Sequence, residues 1–409
     1  MKDKSNNKKK NKRWIKFRHR VVRNILYALL KPYCRLKYGV TIDKFSEQEN
    51  RPYLILFNHQ TAFDQFFVGM AFRGPVYYIA SEDIFSMGAV SSLIRYLVEP
   101  IPIKKQTTDV RAILNCMKVA KEGGTIALAP EGNRTFCGRT LYMKPSIVPL
   151  ARKLGVPIAL FRIEGGYGVH PRWSDVVRRG KMHCYVSRVV SPEEYATMTD
   201  EELMDLINRE LYVNEGGVSG EFYHKKSAEY LERVTYVCPF CGFSVFESRG
   251  DTVECKRCHR KVRYTKTKEL VGLGFDFPFR FVSEWYDYQS DFINRFEPQG
   301  AVTEPIYIDR ARLSEVIPYK NKKLISKSFT LALFGDRIEG RGDMGELTFP
   351  FSSVSVVTVL GKNKLNIYYD GKIYQLKGDK RFNALKYVQI YNRYKNVLKG
   401  VTDGKFLGL

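Results

Sequence analysis

The sequence predicts an α/β fold: a mostly parallel sheet with flanking helices, then a small cysteine-knuckled ribbon and a β-rich, barrel-like domain closed by a C-terminal helix. Three observations carry this reading. Residues 50–190 alternate short apolar runs with helix-length amphipathic runs. Residues 236–264 hold two paired Cys-x-x-Cys knuckles. From about residue 322 the pattern becomes β-rich and closes in one amphipathic stretch.

In chain order, residues 1–13 are polar and Lys-rich. Residues 1–40 hold 14 Lys/Arg against the single acid Asp3, so this head carries +13 of the chain's +24. Such a head on a near-ordinary body points to an anionic surface as partner, a membrane or a nucleic acid. Trp14, Phe17, Val21, Ile25 and Leu29 recur at spacings of three and four, with Lys16, Arg18, Arg20 and Arg23 between them. A basic helix with an aromatic on its apolar face suits a membrane interface. Packing on the following domain is the other reading, and the two are compatible. Residues 1–40 are therefore read as a basic amphipathic membrane-binding segment. No transmembrane helix is expected, because the longest run without a charged residue, Leu347 to Gly361, is 15 residues, against roughly 20 needed. No secretory signal is expected either, since Val21–Leu30 is broken by Arg23 and followed by Lys31-Pro32.

Residues 41–220 form the α/β unit. Tyr53–Phe57, Val76–Ala80, Thr125–Ala129, Pro157–Ile163 and Met182–Val190 read as strands. Gln65–Phe72, Met87–Leu97 and Val110–Glu122 read as the helices between them. Thr199 and Glu202 make a capping box that opens a helix through Leu211. Residues 236–264 are the ribbon and 265–321 a connecting region with a short helix at Trp285–Phe296. Residues 322–400 are a β-rich accessory domain, in which Asp370-Gly371 joins two strands as a hairpin and Arg381–Leu398 closes as a helix. Several strands followed by one helix resembles a pleckstrin-homology-type barrel. With 44% hydrophobic and 13% aromatic residues, the chain can bury real cores, which excludes a disordered protein.

The sharpest chemical signal is Asn58-His59-Gln60-Thr61-Ala62-Phe63-Asp64, between a strand and a helix. Positions five apart on a helix lie about 140° apart. His59 therefore reaches Asp64 only from before the helix proper. An Asp on one ring nitrogen fixes the tautomer and leaves the other nitrogen to take a proton. A second motif, Ala129-Pro130-Glu131-Gly132-Asn133-Arg134-Thr135, also follows a strand. Ligands of open α/β sheets bind beyond the carboxyl ends of strands, and Arg134 offers a permanently charged fork for a phosphate.

Together these blocks identify a resemblance to the glycerolipid acyltransferase superfamily, whose members include the lysophosphatidic acid acyltransferases. Asn58, His59 and Asp64 match its first block, Pro130, Glu131, Gly132 and Arg134 its third, and Val156, Pro157 and Ile158 its fourth. Asn133 and Thr135 depart from the family's usual Thr and Ser. In the second block, Lys104-Lys105 stands where the family usually carries Arg. The resemblance covers about residues 15–215. It implies acyl transfer from a thioester, on coenzyme A or acyl carrier protein, to a glycerolipid hydroxyl, with 1-acylglycerol-3-phosphate as acceptor. Glycerol 3-phosphate and a lysoglycolipid are the alternative acceptors. In these terms His59 is the base and Asp64 holds it. Glu131, Gly132, Arg134 and Asn58 bind substrate, with Lys104 or Lys105 assisting. The setting is peripheral, on the cytoplasmic face of an anionic membrane. Cys116 and Cys137 lack a neighbouring His in sequence and are not read as nucleophiles.

Cys238, Cys241, Cys255 and Cys258 are spaced Cys-x2-Cys-x13-Cys-x2-Cys. Four thiolates close a tetrahedral site, so a structural zinc ion is expected and a catalytic one is not. The segment resembles a zinc ribbon, and a rubredoxin-like iron site is the alternative. So small a unit should need its metal to fold. The other cysteines, 34, 116, 137 and 184, are scattered, and the set suits a reducing cytosol. Lys256, Arg257, Arg260, Lys261 and Arg263 make the ribbon basic. They keep open a different class of reading: a non-enzymatic nucleic-acid-binding protein with a degenerate enzyme domain. Phe240, Phe243 and Phe246 read instead as ribbon core, and a nucleic-acid partner is not the expectation.

Overall fold

The computed structural model describes residues 13–46, 52–81, 84–85, 88–103, 109–317, 321–343 and 345–401. Lys104, Lys105 and the Lys-rich residues 1–12 lie outside the described residues. The first half of the chain builds a seven-stranded sheet from β1 (Val40–Ile42), β2 (Leu54–Phe57), β3 (Val76–Ser81), β4 (Ile101–Ile103), β5 (Thr125–Leu128), β6 (Ile158–Glu164) and β7 (Met182–Val190). Its order is β1-β7-β6-β2-β5-β3-β4. Every pairing is parallel except β6 with β7, so the mostly parallel α/β sheet is as expected.

The centre strand β2, Leu-Ile-Leu-Phe, is buried along its whole length. A strand covered on both faces needs an unbroken apolar run rather than alternation. Successive side chains then divide between two cores. Leu54, Leu56, Ile126, Ile158 and Leu160 pack on one face. Ile55, Phe57, Ala127, Ala159 and Phe161 pack on the other. The flanking helices are α1 (Phe17–Tyr38), α2 (Asp64–Ala71), α3 (Ala89–Val98), α4 (Val110–Lys121), α5 (Ile147–Leu154), the single turn α6 (Gly166–Val169), α7 (Pro192–Ala196) and α8 (Asp200–Leu211). The Thr199–Glu202 capping box forms as read. Helix α5 escaped the sequence reading because Pro149 stands inside it. A proline in the first turn costs no hydrogen bond, since those N–H groups have no helical partner anyway.

The stripe read on the first helix divides. Trp14 lies before α1 and is buried in the core, and its amide donates to the Glu122 carboxylate at 2.9 Å. Phe17, Val21, Ile25 and Leu29 point outward, from 41% to 81% exposed. The helix rests on the domain through His19, Cys34 and Tyr38 instead. Gly39 ends it in the left-handed region, φ 59°. A Cβ there would lie 2.0 Å from the Gly180 carbonyl, so position and conformation both require glycine.

The second half is antiparallel. The ribbon is β8 (Val237–Cys238) with β9 (Gly242–Phe243), followed by β10 (Phe246–Arg249), β11 (Thr252–Cys255), β12 (Lys261–Tyr264) and β13 (Leu270–Gly272) as one sheet. Helix α9 (Val282–Arg295) follows. A curled sheet then comprises β14 (Tyr307–Glu315), β15 (Lys323–Leu333), β16 (Arg337–Gly342), β17 (Gly345–Pro350), β18 (Val356–Leu360), β19 (Lys364–Tyr369) and β20 (Lys372–Gly378), closed by α10 (Leu385–Leu398). Its order is β17-β16-β15-β14-β20-β19-β18. This is the expected barrel-like domain with its closing helix, as an open half-barrel. Asp370 and Gly371, φ 48° and 67°, make the predicted two-residue turn.

One expectation needs correction. Residues 265–321 are more than a connection. They supply β13 to the ribbon sheet and β14, the strand that joins the two halves of the curled sheet. The ribbon also lacks a core of its own. Val253, Val262 and Tyr264 share one cluster with Trp285 of α9, Leu331 and Ile367 of the curled sheet, and Tyr167 and Trp173 of the α/β domain. The small unit was expected to have little core, and it borrows apolar packing from three neighbours.

Candidate active site

The site lies where β2, β5 and β6, three adjacent parallel strands, end. The chain leaves β2 through Asn58 and His59 and enters α2 at Asp64, with Phe63 as N-cap. His59 is thus outside the helix, as its reach requires. Its Nδ1 donates to Asp64 Oδ2 at 2.8 Å, because a carboxylate can only accept. Asp64 is fully buried. It also accepts from the amides of Gln60 at 2.7 Å and Thr61 at 2.9 Å and from the Thr61 hydroxyl at 2.7 Å. Those bonds fix the carboxylate at the start of α2. His59 is 23% exposed at its side chain, and with Nδ1 engaged, Nε2 is the atom left to take a proton. Burial holds its pKa below the ordinary 6.5; Asp64 opposes that shift, and Arg134 and Arg172 add to it.

The second motif forms the loop after β5. Gly132 turns with φ 71° and has open space beside it. Arg134 carries a buried Nη1 with no hydrogen-bond partner; burial lowers its pKa, and the charge of Asp64 opposes that shift. The Thr135 amide donates to the His59 carbonyl at 3.0 Å, locking the two loops together.

Two residues read as substrate contacts are spent elsewhere. Glu131 accepts the His59 amide at 2.8 Å on one oxygen and the Leu141 amide at 3.0 Å on the other. Burial pushes its carboxyl up to about 8, against the pull of those two amides. Asn58 is fully buried; its amide donates to the Ile163 carbonyl and accepts the Ile163 amide, both at 2.8 Å. It thereby pins β2 to β6. In both side chains every polar atom already has a main-chain partner, and these bonds set the geometry of the loops.

The structure adds residues that spacing alone did not mark. His170, after α6, is buried with Nδ1 unpartnered, its ring 5.9 Å from that of Tyr38. Burial holds it neutral, with a pKa near 3. Arg172 is 2% exposed and donates to the Arg134 carbonyl at 2.8 Å. Tyr38 and Tyr33 of α1 pack on Phe63, at 4.9 and 6.1 Å between ring centroids, so an aromatic path leads from α1 to the residue before Asp64. Cys116 and Cys137 are buried, and burial pushes both thiols up, Cys116 to about 12. That is the wrong direction for a nucleophile.

The four ribbon cysteines converge, with all Sγ atoms within 4.8 Å of one another. Cys238 and Cys258 are 3.8 Å apart, Cys241 and Cys255 3.6 Å. A tetrahedron of Zn–S bonds of ~2.3 Å has edges of about 3.8 Å, so the donor set fits the ion. The ribbon's cations are largely occupied. Lys256 and Lys261 pair with Glu254, Arg263 with Asp251, and Arg260 lies over Phe240. Phe243 packs on Phe292, Phe296 and Tyr307, and Phe246 on Trp285.

A His–Asp pair and a guanidinium with an unpartnered nitrogen thus meet at the ends of parallel strands in an α/β domain. Residues 40–163 match the family model described as Acyltransferase. It is 21% identical over 192 residues to the chloroplastic 1-acyl-sn-glycerol-3-phosphate acyltransferase BAT2 of Brassica napus, covering 46% of this chain and 54% of that one. The chain thus spans about half the length of that curated relative. A crystal structure of the 1-acyl-sn-glycerophosphate (LPA) acyltransferase PlsC from Thermotoga maritima is 24% identical, over 48% of this chain and 79% of that one, with a TM-score of 0.38.

Proposed function

We propose that this chain transfers a fatty acyl group from a thioester donor, acyl-coenzyme A or acyl carrier protein, to the free hydroxyl of a lysophospholipid, with 1-acylglycerol-3-phosphate as its acceptor. The observation that carries the reading is the His59–Asp64 pair beside the unpartnered Arg134 Nη1. His59 Nε2 takes the hydroxyl proton as the acceptor oxygen attacks the thioester carbonyl. The thiol leaves with that proton. Asp64 fixes the tautomer and supports the imidazolium. Arg134 meets the acceptor phosphate, a charge-assisted contact for a dianion. Glu131 and Asn58 act as positioning residues.

The exposed apolar side of α1 supports a peripheral place on an anionic, cytoplasm-facing membrane surface. Helix α3 adds Val90, Leu93 and Tyr96, each more than half exposed, and is tied to α1 where Arg18 donates to the Tyr96 carbonyl. Among the described residues, no helix is long and apolar enough to cross a membrane. The ribbon cysteines are proposed to hold one structural zinc ion, which would supply a fixed corner and no chemistry.

The test is a panel of 1-acylglycerol-3-phosphate, glycerol 3-phosphate, neutral lysolipids and a lysoglycolipid. Each is offered with acyl-coenzyme A and acyl carrier protein donors and read by mass spectrometry. Acylation of 1-acylglycerol-3-phosphate that vanishes in His59→Ala is expected. Transfer to no glycerolipid would overturn the proposal.

A further inference from the structure

Arg172 has an unusual set of partners. Nη1 donates to the Arg134 carbonyl at 2.8 Å, Nε to the Gly361 carbonyl at 2.7 Å and Nη2 to the Val359 carbonyl at 3.2 Å. Its flat face lies 3.9 Å from the centre of the Phe136 ring. One carbonyl belongs to the loop that carries Arg134. The other two belong to the C-terminal half-barrel, Val359 to the end of β18 and Gly361 to the turn that joins it to β19. The next residue of that turn, Lys362, donates to the Ser174 carbonyl at 2.6 Å and to Asp175 Oδ1 at 3.0 Å. The hairpin is thus fastened at both ends of the segment Arg172–Asp175.

The charges here do not balance within the protein. Among the described residues, Arg172 makes no ion pair with a carboxylate; carbonyl dipoles and a ring are its whole solvation. Arg134 has a buried nitrogen without a partner, as has His170. Asp64 is already saturated by His59, Gln60 and Thr61, and Asp175 is shared between Arg233 and Lys362. Buried guanidinium groups without a counter-charge are costly. Their placement makes sense where an incoming anion completes the balance.

We infer that the acceptor's anion site is built by two domains. Arg172 is a positioning residue that holds the peptide of Arg134, and the β18–β19 hairpin of the C-terminal domain holds Arg172. The ligand class is a phosphate monoester, recognised by its double negative charge. This rests on the acyl-acceptor reading above, and it adds that the C-terminal domain is a structural part of the acceptor pocket.

The experiment uses the full chain with short-chain 1-acylglycerol-3-phosphate and the matching uncharged 1-acylglycerol as acceptors. Arg172→Lys keeps the charge but cannot span three carbonyls. Lys362→Met frees the hairpin from Ser174 and Asp175 and, at a partly exposed position, leaves the fold intact. Both variants are expected to raise KM for the phosphate acceptor about tenfold, the scale of one misplaced charge-assisted bond. The kcat and the KM for the neutral acceptor should hold. Equal losses on both acceptors, or no loss on either, overturn the inference. A second readout is independent of turnover: sn-glycerol 3-phosphate should raise the melting temperature of the wild type and of His59→Ala, and less that of the two variants. If the wild type acylates neither acceptor but shows this protection, the acyltransfer reading fails and the two-domain anion site stands. If the anion protects all forms equally or none, the two-domain site fails.

Discussion

The chain builds two polar centres, and they are finished differently. In the ribbon, four sulfur atoms converge on one point at the edge lengths of a closed tetrahedron. In the α/β domain, four donors converge on Asp64, yet His59 Nε2 is left for a proton and Arg134 Nη1 has no partner. A centre whose valences are used up holds structure together. One with open valences beside a saturated support is equipped to act on a ligand. The distinction is one of satisfaction, since both centres are largely buried.

The largest expected effect breaks the closed centre. Cys258→Ser, or a strong chelator, should release about one zinc per chain and lower the melting temperature steeply. A structural zinc contributes on the order of 10 kcal/mol in isolated fingers. Here the shared core with Trp285 and Trp173 should keep the C-terminal half partly folded, so far-ultraviolet dichroism should fall less than complete unfolding would require. Iron, or no metal by elemental analysis, would contradict the assignment.

The open centre should behave oppositely. His59→Ala is expected to cut kcat by about 10²–10⁴ with an unchanged melting temperature; a melting shift as large as that of the zinc variant would erase the distinction. Asn58→Ala, by contrast, strands the Ile163 amide and carbonyl in the interior. It should cost about 2–6 kcal/mol of stability at ~1–3 kcal/mol per unsatisfied group, measured by urea unfolding.

A finer test is acidity. With its pKa held below 6.5 by burial, His59 stays a neutral base as the pH falls through 6.5. The acid limb of kcat/KM should therefore have its midpoint under 6.5. Asp64→Asn removes the groups' mutual attraction, so the midpoint should move lower still as kcat drops. A midpoint above 6.5 would mean that Asp64 outweighs burial. The smallest effect concerns the surface. Ile25→Ser with Leu29→Ser should weaken binding to anionic vesicles several-fold, at roughly 1.5–3 kcal/mol per fully buried side chain and less for one half inserted, with turnover on a short-chain soluble acceptor unchanged.

Local pattern made the His59–Asp64 pair and the knuckles legible. His59 and Asp64 are five apart and the cysteines sit in two tight pairs, so the chain itself brings each set together. Arg172 and Lys362 carry no such signal. They lie 38 and 228 residues after Arg134 and meet it only through folding. The main-chain bonds of Asn58 and Glu131 were hidden for a related reason: residue type announces a polar side chain, but not which backbone groups it will meet. Strand β14 was hidden by Asp309, Arg310, Arg312 and Glu315, whose charges obscure the inward row of Tyr307, Ala311 and Leu313. Asp309 finds its own partners inside, the Tyr387 hydroxyl and Lys386.

The common core has a consequence in time. Tyr167 and Trp173 belong to the α/β domain but are covered by residues that come after 220. During synthesis the parallel sheet and the His59 loop emerge first, with those rings bare and Arg172 lacking two of its carbonyls. At about 5–20 residues per second, roughly 10–40 s pass before the last strand and α10 arrive. Over that interval the nascent chain has its His59–Asp64 pair in place but Arg172 unsecured, and a sticky aromatic flank for chaperones to shield.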